Sequence, residues 1–215
     1  MHIKRKTISK LWPITRTGTK YLAVPSHNQS TSLPLVIVAR EMLKIIKTKK
    51  ELKKILSEKQ ILVNGKIVKE VNYPVSLFDY LSIPAANEHY KMILEGKKLK
   101  LVKASEKDTS SNIFKVIGKR MLGKNIMQIN LTNGRNVLSN EKIEVGNFVL
   151  VDHKNKINKI LPLEKDVKVI AISGKHMGEN GKVKEIVKEG QNEIAKVKGA
   201  KEEFSTNINN LFVEM

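Results

Sequence analysis

Apolar residues keep a helical spacing in the first third of the chain and change to alternation after it. In PLVIVAREMLKIIK, residues 34–47, they fall at 36, 39, 43 and 46, one face of a helix. Pro34 suits the first turn, where no N–H donor is needed. The spacing predicts a helix here, with Arg40, Lys44 and Lys47 on another face. Thr48 and Glu51 then form a capping-box signature: the Thr48 side chain can accept from the Glu51 amide while Glu51 reaches back to the Thr48 amide. A second helix is predicted from that point. Its buried stripe is Leu52, Ile55 and Leu56, and Lys49, Lys50, Lys53 and Lys54 occupy the remaining surface. Like charges at these spacings repel by a few tenths of a kcal/mol per pair, so a merely solvated face would do better with interspersed acids.

Beyond residue 60 the signals are those of strands and turns. ILVNGKIV places Asn64-Gly65 where a two-residue hairpin needs positive backbone angles, and QINLTNGRNVL offers a second Asn-Gly hairpin. EVGNFVLVD reads as another strand. Towards the C-terminus, VKVIAI sets Val167 and Val169 against Lys168. Val183 and Val187 are then expected on one face, with Lys182, Lys184 and Lys188 on the other. The fold class expected is α+β, mostly β.

Composition narrows the partners. Cysteine is absent from the 215 residues, which removes disulfides, thiolate metal sites and thiol nucleophiles and suits a reducing cytoplasm. The longest apolar run, LPLVIVA at 33–39, is far short of the roughly 20 residues that span a bilayer. Formal charge is +19, with 33 Lys+Arg against 14 Asp+Glu in residues 1–172 and 7 against 7 in residues 173–215. Such a field favours a polyanion. No basic amphipathic helix with a broad apolar face is present for a membrane surface, so nucleic acid is the expected partner. With aromatics at 5 %, a stacking platform for splayed bases is poorly supplied, and phosphate and shape contacts to a structured RNA fit better.

Residues 1–32 carry Lys4, Arg5, Lys6, Lys10, Arg16 and Lys20 and no acid, with Trp12 and Tyr21 among them. They read as a basic arm, expected to stay mobile until phosphates relieve its self-repulsion. The glycines of ISGKHMGENGKVKEI, at 174, 178 and 181, fit neither G-x-G-x-x-G nor the phosphate-loop pattern, because both need glycine where His176 stands. Strand-like flanks make the stretch a glycine turn between two half-buried strands.

Chemistry is thinly supplied. His2, His27, His89, His153 and His176 are scattered without metal-type spacing, and Asp152-His153, an adjacent acid–imidazole pair, reads as a turn at the end of a strand. No catalytic residues, metal site or cofactor are expected.

TKKELKKILSEKQILVNGKIVKEVNYPVSLFDYLSI resembles the RNA-binding module named for bacterial ribosomal protein S-four. That resemblance implies RNA contact by Lys49 and Lys53, where the module has two arginines, and around the turn of residues 63–65. Gly174, Gly178, Gly181 and Val183 are similar to the KOW motif of small barrels, which implies an RNA-facing turn with Lys175 and His176 at its tip. The order of parts resembles the small-subunit ribosomal protein family S-four-e of archaea and eukaryotes. The parts are a basic arm with Lys10-Leu11-Trp12, LPLVIVAREMLK before the module, YPVSLFDYLSI after it, a middle β-domain, the KOW turn and a closing NINNLFVEM. Lysine richness and small size point to an archaeal member.

The resemblance implies a structural constituent of the small ribosomal subunit that binds and stabilises folded ribosomal RNA in the cytoplasm. Its partners would be that RNA and neighbouring ribosomal proteins, without membrane or self-association. The expected organisation is an arm (1–32), an S-four-type module of two helices plus a hairpin (33–95), a middle β-domain (96–164) and a C-terminal SH3-like KOW barrel (165–215). RNA contacts are expected from the six basic residues of the arm with Trp12, from Arg40, Lys44, Lys47, Lys49, Lys50, Lys53 and Lys54, from Asn64 and Lys66, and from Lys175 and His176. Two alternatives remain open. An RNA-modifying enzyme would need a catalytic aspartate, and only Asp108, Asp152 and Asp166 follow residue 95. A KOW-bearing transcription factor would lack the S-four-type module.

Overall fold

Three apolar side chains and one arginine decide the conformation of the basic N-terminal segment. The computed structural model describes residues 2–29, 31–123, 126–153, 155–189, 192–199 and 202–214. In it Trp12 is 4 % exposed and Leu22 and Val24 are buried. Strands β1 (His2–Lys4) and β2 (Tyr21–Ala23) pair antiparallel, and the Leu99 N–H donates to the Leu11 carbonyl at 2.9 Å. Arg5 ties the intervening loop by donating from Nη1 to the Thr15 carbonyl and from Nε to the Thr19 carbonyl, both at 2.7 Å, and from Nη2 to Thr19 Oγ1 at 2.9 Å. Trp12, expected among the RNA contacts, is thus a packed side chain. The segment holds apolar side chains that pack, and the Arg5 guanidinium ties the Thr15 and Thr19 carbonyls.

The chain divides into two compact units, Met1–Asn112 and Ile113–Met215. In the first, β3 (Ser32–Pro34) leads into α1 (Leu35–Ile37), which continues as a π-helical segment, Val38–Met42. Residues 35–39 are all buried, so the segment has no polar face at its start. The Leu43 N–H reaches back to the Val38 carbonyl at 3.0 Å, and Lys44 adopts a φ of 56°. The predicted helix therefore ends before residue 44, and Lys44 and Lys47 do not continue the face of Arg40. Wide π-turns and a left-handed residue broke a spacing argument that assumed 3.6 residues per turn.

The second helix, α2 (Lys49–Ser57), is capped as expected. Thr48 Oγ1 accepts from the Glu51 N–H at 3.3 Å, and Glu51 accepts from the N–H groups of Lys47 at 2.8 Å and Thr48 at 3.4 Å. These donors, the Lys47 N–H first, hold the Glu51 carboxyl below its usual range. Leu52 and Leu56 are buried and Ile55 half-buried. Then come β4 (Leu62–Val63), β5 (Lys66–Ile67), β6 (Pro74–Ser76), which pairs with β3, and β7 (Tyr80–Ile83), β8 (Glu88–Glu95) and β9 (Lys98–Lys103). The sheet order is β5-β4-β7-β8-β9, and φ values of 50° and 73° at Asn64 and Gly65 make the expected tight turn.

The second unit stacks its core on two five-stranded sheets. Strands β10 (Ser111–Met121), β11 (Met127–Leu131), β12 (Asn136–Ser139), β13 (Phe148–Asp152) and β14 (Ile157–Leu161) are ordered β12-β11-β10-β13-β14. Asn133 and Gly134, with φ of 65° and 71°, turn the second Asn-Gly hairpin. Phe114, Val116, Ile129, Leu131 and Val149 lie in its core. The other sheet contains β15 (Lys168–Ala171), β16 (Asn180–Glu189), β17 (Asn192–Gly199), β18 (Glu203–Asn207) and β19 (Leu211–Val213), in the order β18-β17-β16-β15-β19. Phe148 and Phe212 meet edge to face with centroids 5.1 Å apart. Lys115, 8 % exposed, donates from Nζ to the Ile208 carbonyl at 2.7 Å, and burial pushes its pKa down to about 8.

A bulge at Lys184 corrects the expected alternation in β16. Val183 faces Val197 across the strands, but the next matched pairs are Glu185 with Lys196 and Ile186 with Ala195. Val197 and Ala195 are two residues apart and both buried, so Val183 shares its face with Ile186 rather than with Val187. One extra residue reverses every side chain that follows it.

Candidate nucleic-acid interface

The first turn of α2 points Lys49 and, one turn later, Lys53 into a groove of about 670 Å³. Burial of Leu52 and Leu56 against the unit fixes the rotation of the helix and so aims these lysines. Lys59 and Lys69 enter the same groove from beyond α2 and β5, with Ser26, Ser57 and Asn72 as polar lining and Glu70 as its one acid. Lys59 follows the helix end with a φ of 58°, which turns the chain so that Lys59 lines the same groove as Lys49 and Lys53. Four cations against one carboxylate make a cleft suited to a chain of phosphates, and low-dielectric walls strengthen such a field.

Sequence periodicity missed Lys59 and Lys69 because both lie in irregular backbone, where no repeat marks a shared face. Lys50 and Lys54 are exposed on α2 but do not line the groove. Arg40 pairs with Glu41 at 3.0 Å. Lys44, Lys47 and Lys66 are exposed.

Asn64 has a structural place. It is 5 % exposed, donates from Nδ2 to Asp79 Oδ1 at 2.8 Å, and accepts at Oδ1 from the Tyr80 N–H at 2.9 Å and from Asn112 Nδ2 at 2.6 Å. Asp79 in turn accepts from the Ser76 N–H at 2.7 Å. This network holds the hairpin beside the groove and leaves no side-chain oxygen of Asn64 for a ligand.

In the first segment, Lys4, Lys6, Lys10, Arg16 and Lys20 are exposed, whereas Trp12 is core and Arg5 is engaged with Thr15 and Thr19. Lys20 lies 5.2 Å above the Tyr21 ring. The glycine turn separates its two expected contacts in the same way. Lys175 is exposed, but the His176 ring stacks on Phe204 and its Nδ1 meets Glu179 Oε2 at 3.1 Å. Asp152-His153 sits in a turn closed by the Asn155 N–H on the Asp152 carbonyl at 3.0 Å. Among the described residues no three His, Asp or Glu side chains gather as metal ligands, and no helix is long and apolar enough to cross a membrane.

Residues 86–158 match ribosomal family S4e, and residues 34–79, which include α2 and the Asn64 turn, match the S4 domain. The small ribosomal subunit protein eS4 of Methanocella arvoryzae is 36 % identical over 189 residues, 86 % of this chain and 80 % of that protein. Its counterpart in Nanoarchaeum equitans is 32 % identical over 193 residues, 87 % of this chain and 82 % of that protein. Among solved structures, the crystal structure of the 30S ribosomal protein S4e from Thermoplasma acidophilum superposes with a TM-score of 0.70 at 27 % identity, covering 85 % of this chain and 94 % of that one.

Proposed function

The chain belongs to ribosomal family S4e, and from that premise we propose that it holds folded small-subunit ribosomal RNA by clamping a phosphate backbone in the groove of Lys49, Lys53, Lys59 and Lys69. It is a structural, non-enzymatic constituent of the small ribosomal subunit and works in the cytoplasm, on the ribosome. The observation that carries the groove is that four lysines from three separate stretches of backbone line it, with Glu70 the one acid among its lining residues. Each phosphate neutralised releases condensed counterions, so binding is driven by charge, falls with salt and depends weakly on sequence. Lysine supplies point charge here without the two-pronged geometry of arginine, which suits backbone more than base edges.

The exposed cations of the N-terminal segment, Lys4, Lys6, Lys10, Arg16 and Lys20, extend the surface open to RNA. Neighbouring ribosomal proteins are the remaining partners. A modifying enzyme is disfavoured by the family, and a KOW-bearing transcription factor by the S4 domain. The test is sedimentation of the tagged full chain expressed in an archaeal host. The chain is expected to travel with small subunits and to leave them only in high salt. Recovery at the top of the gradient at physiological salt would refute the assignment.

A further inference from the structure

The register of the C-terminal sheet puts three lysines in one row. Lys168 of β15 lies opposite Lys182 of β16, and Lys182 lies opposite Lys198 of β17. Residues directly opposite in antiparallel pairs share a face, and like charges so placed repel. All three side chains are exposed. The row crosses β15, β16 and β17, the inner strands of the order β18-β17-β16-β15-β19. It therefore does not serve to blunt a sheet edge, the ordinary structural use of strand lysines.

The neighbouring lysines show what a satisfied cation looks like on this sheet. Lys184 meets Glu203 at 3.0 Å, Lys188 meets Glu193 at 3.2 Å and Lys196 meets Glu185 at 3.2 Å. Lys168, Lys182 and Lys198 make no ion pair among the described residues. Glu203 stands opposite Lys198 in register, yet Lys184 Nζ holds both its oxygens, at 3.0 and 3.2 Å. Three carboxylates, Glu185, Glu193 and Glu203, are thus held by Lys196, Lys188 and Lys184, while Lys168, Lys182 and Lys198 form an unbridged cationic row with Glu203 in register at the β18 end and Glu214 beside Lys168 at the β19 end.

We propose that this row is a second polyanion-binding surface, which takes the phosphodiester backbone of RNA. With strands about 4.8 Å apart, three lysines span roughly 10 Å, within reach of two or three consecutive phosphates. The row lies on the sheet face, so this contact is distinct from the Lys175 turn. The proposal rests on the reading of the chain as a ribosomal-RNA binder.

The experiment compares full-length wild type with two variants that lose the same charge: Lys168→Gln/Lys182→Gln/Lys198→Gln and Lys184→Gln/Lys188→Gln/Lys196→Gln. Affinity for small-subunit ribosomal RNA is measured across a salt series, with Lys49→Ala/Lys53→Ala as a third variant. The row variant is expected to keep its fold, lose at least tenfold in affinity, and lower the log–log salt slope by about 2 to 3. The variant of the paired lysines should lose less than a third of that. Equal losses in the two triple variants would mean that only net charge matters, and would overturn the proposal. So would an unchanged row variant beside a weakened Lys49→Ala/Lys53→Ala, which would leave the ribosomal-RNA reading standing. Absence of binding by wild type would sink both. Binding of a polyglutamate peptide that the row variant loses, with RNA affinity intact, would reassign the row to an acidic protein and also overturn the proposal.

Discussion

The imidazole of His176 lies on the ring of Phe204, with centroids 4.7 Å apart and planes 14° from parallel, while its Nδ1 meets Glu179. The side chain that the KOW resemblance placed at an RNA-facing tip is thus part of the packing of its own sheet. Removing it should act on stability. His176→Ala is expected to lower thermal stability by about 1 kcal/mol, the scale of an aromatic pair, whereas Lys175→Ala, which removes an exposed cation, should leave the melting temperature within experimental error. Circular-dichroism melts of the two variants separate these outcomes.

Gly181 answers why glycines crowd this stretch. A Cβ there would lie 2.6 Å from the Lys198 carbonyl oxygen and 2.6 Å from Val197 Cγ1, so the backbones of β16 and β17 meet where no side chain fits. Gly181→Ala should therefore destabilise the second unit by on the order of 1 to 3 kcal/mol, the usual cost of overpacking. A shift of the denaturant midpoint measures it. Gly146, whose Cβ would meet nothing within 4 Å, has a φ of 97°, so Gly146→Ala should show only the smaller cost of its backbone angle.

The buried Trp12 makes the basic N-terminal segment part of the fold. Trp12→Ala is expected to cost about 3 to 5 kcal/mol and to open residues 2–29 to limited proteolysis. Loss of RNA affinity without any loss of stability would instead describe a free arm.

Lys115 links stability to pH. Its folded-state pKa of about 8 lies below the ordinary 10.5, so below pH 8 it is charged in both states and the cost of burying the ammonium is fully present. Between about 8 and 10.5 the unfolded chain binds more protons than the folded one, and stability contributed by this group rises with pH. Lys115→Met removes that dependence, and the orphaned Ile208 carbonyl adds an offset that does not change with pH. The stability of wild type relative to Lys115→Met should therefore improve as pH climbs through this window. A constant difference would mean that the ammonium stays charged in the folded protein.

Local signals were legible where one short rule governs the backbone. Thr48 and Glu51 gave the start of α2, and Asn64-Gly65 and Asn133-Gly134 gave two turns, because each depends on residues within three positions. The strand before Asp152 and the strand pairing around the glycine turn followed from alternation. What escaped were features set by neighbours distant in sequence. The π-turn at Val38–Met42 has no signal in the apolar spacing, and the bulge at Lys184 is set by the register with β17. Lys59 and Lys69 join Lys49 and Lys53 only after the chain has folded back. Trp12 and Asn64, expected among the RNA contacts, lie buried, since an aromatic in a basic segment and a polar turn residue look the same in sequence whether they face a ligand or a core.

The most direct test of the groove is the salt dependence of binding to small-subunit ribosomal RNA by wild type and by Lys49→Ala/Lys53→Ala/Lys59→Ala/Lys69→Ala. Four lost phosphate contacts should lower the log–log slope by about 3 and weaken binding across sequences alike, with the melting temperature unchanged. A quadruple variant with the slope and affinity of wild type would contradict a phosphate backbone held in that groove.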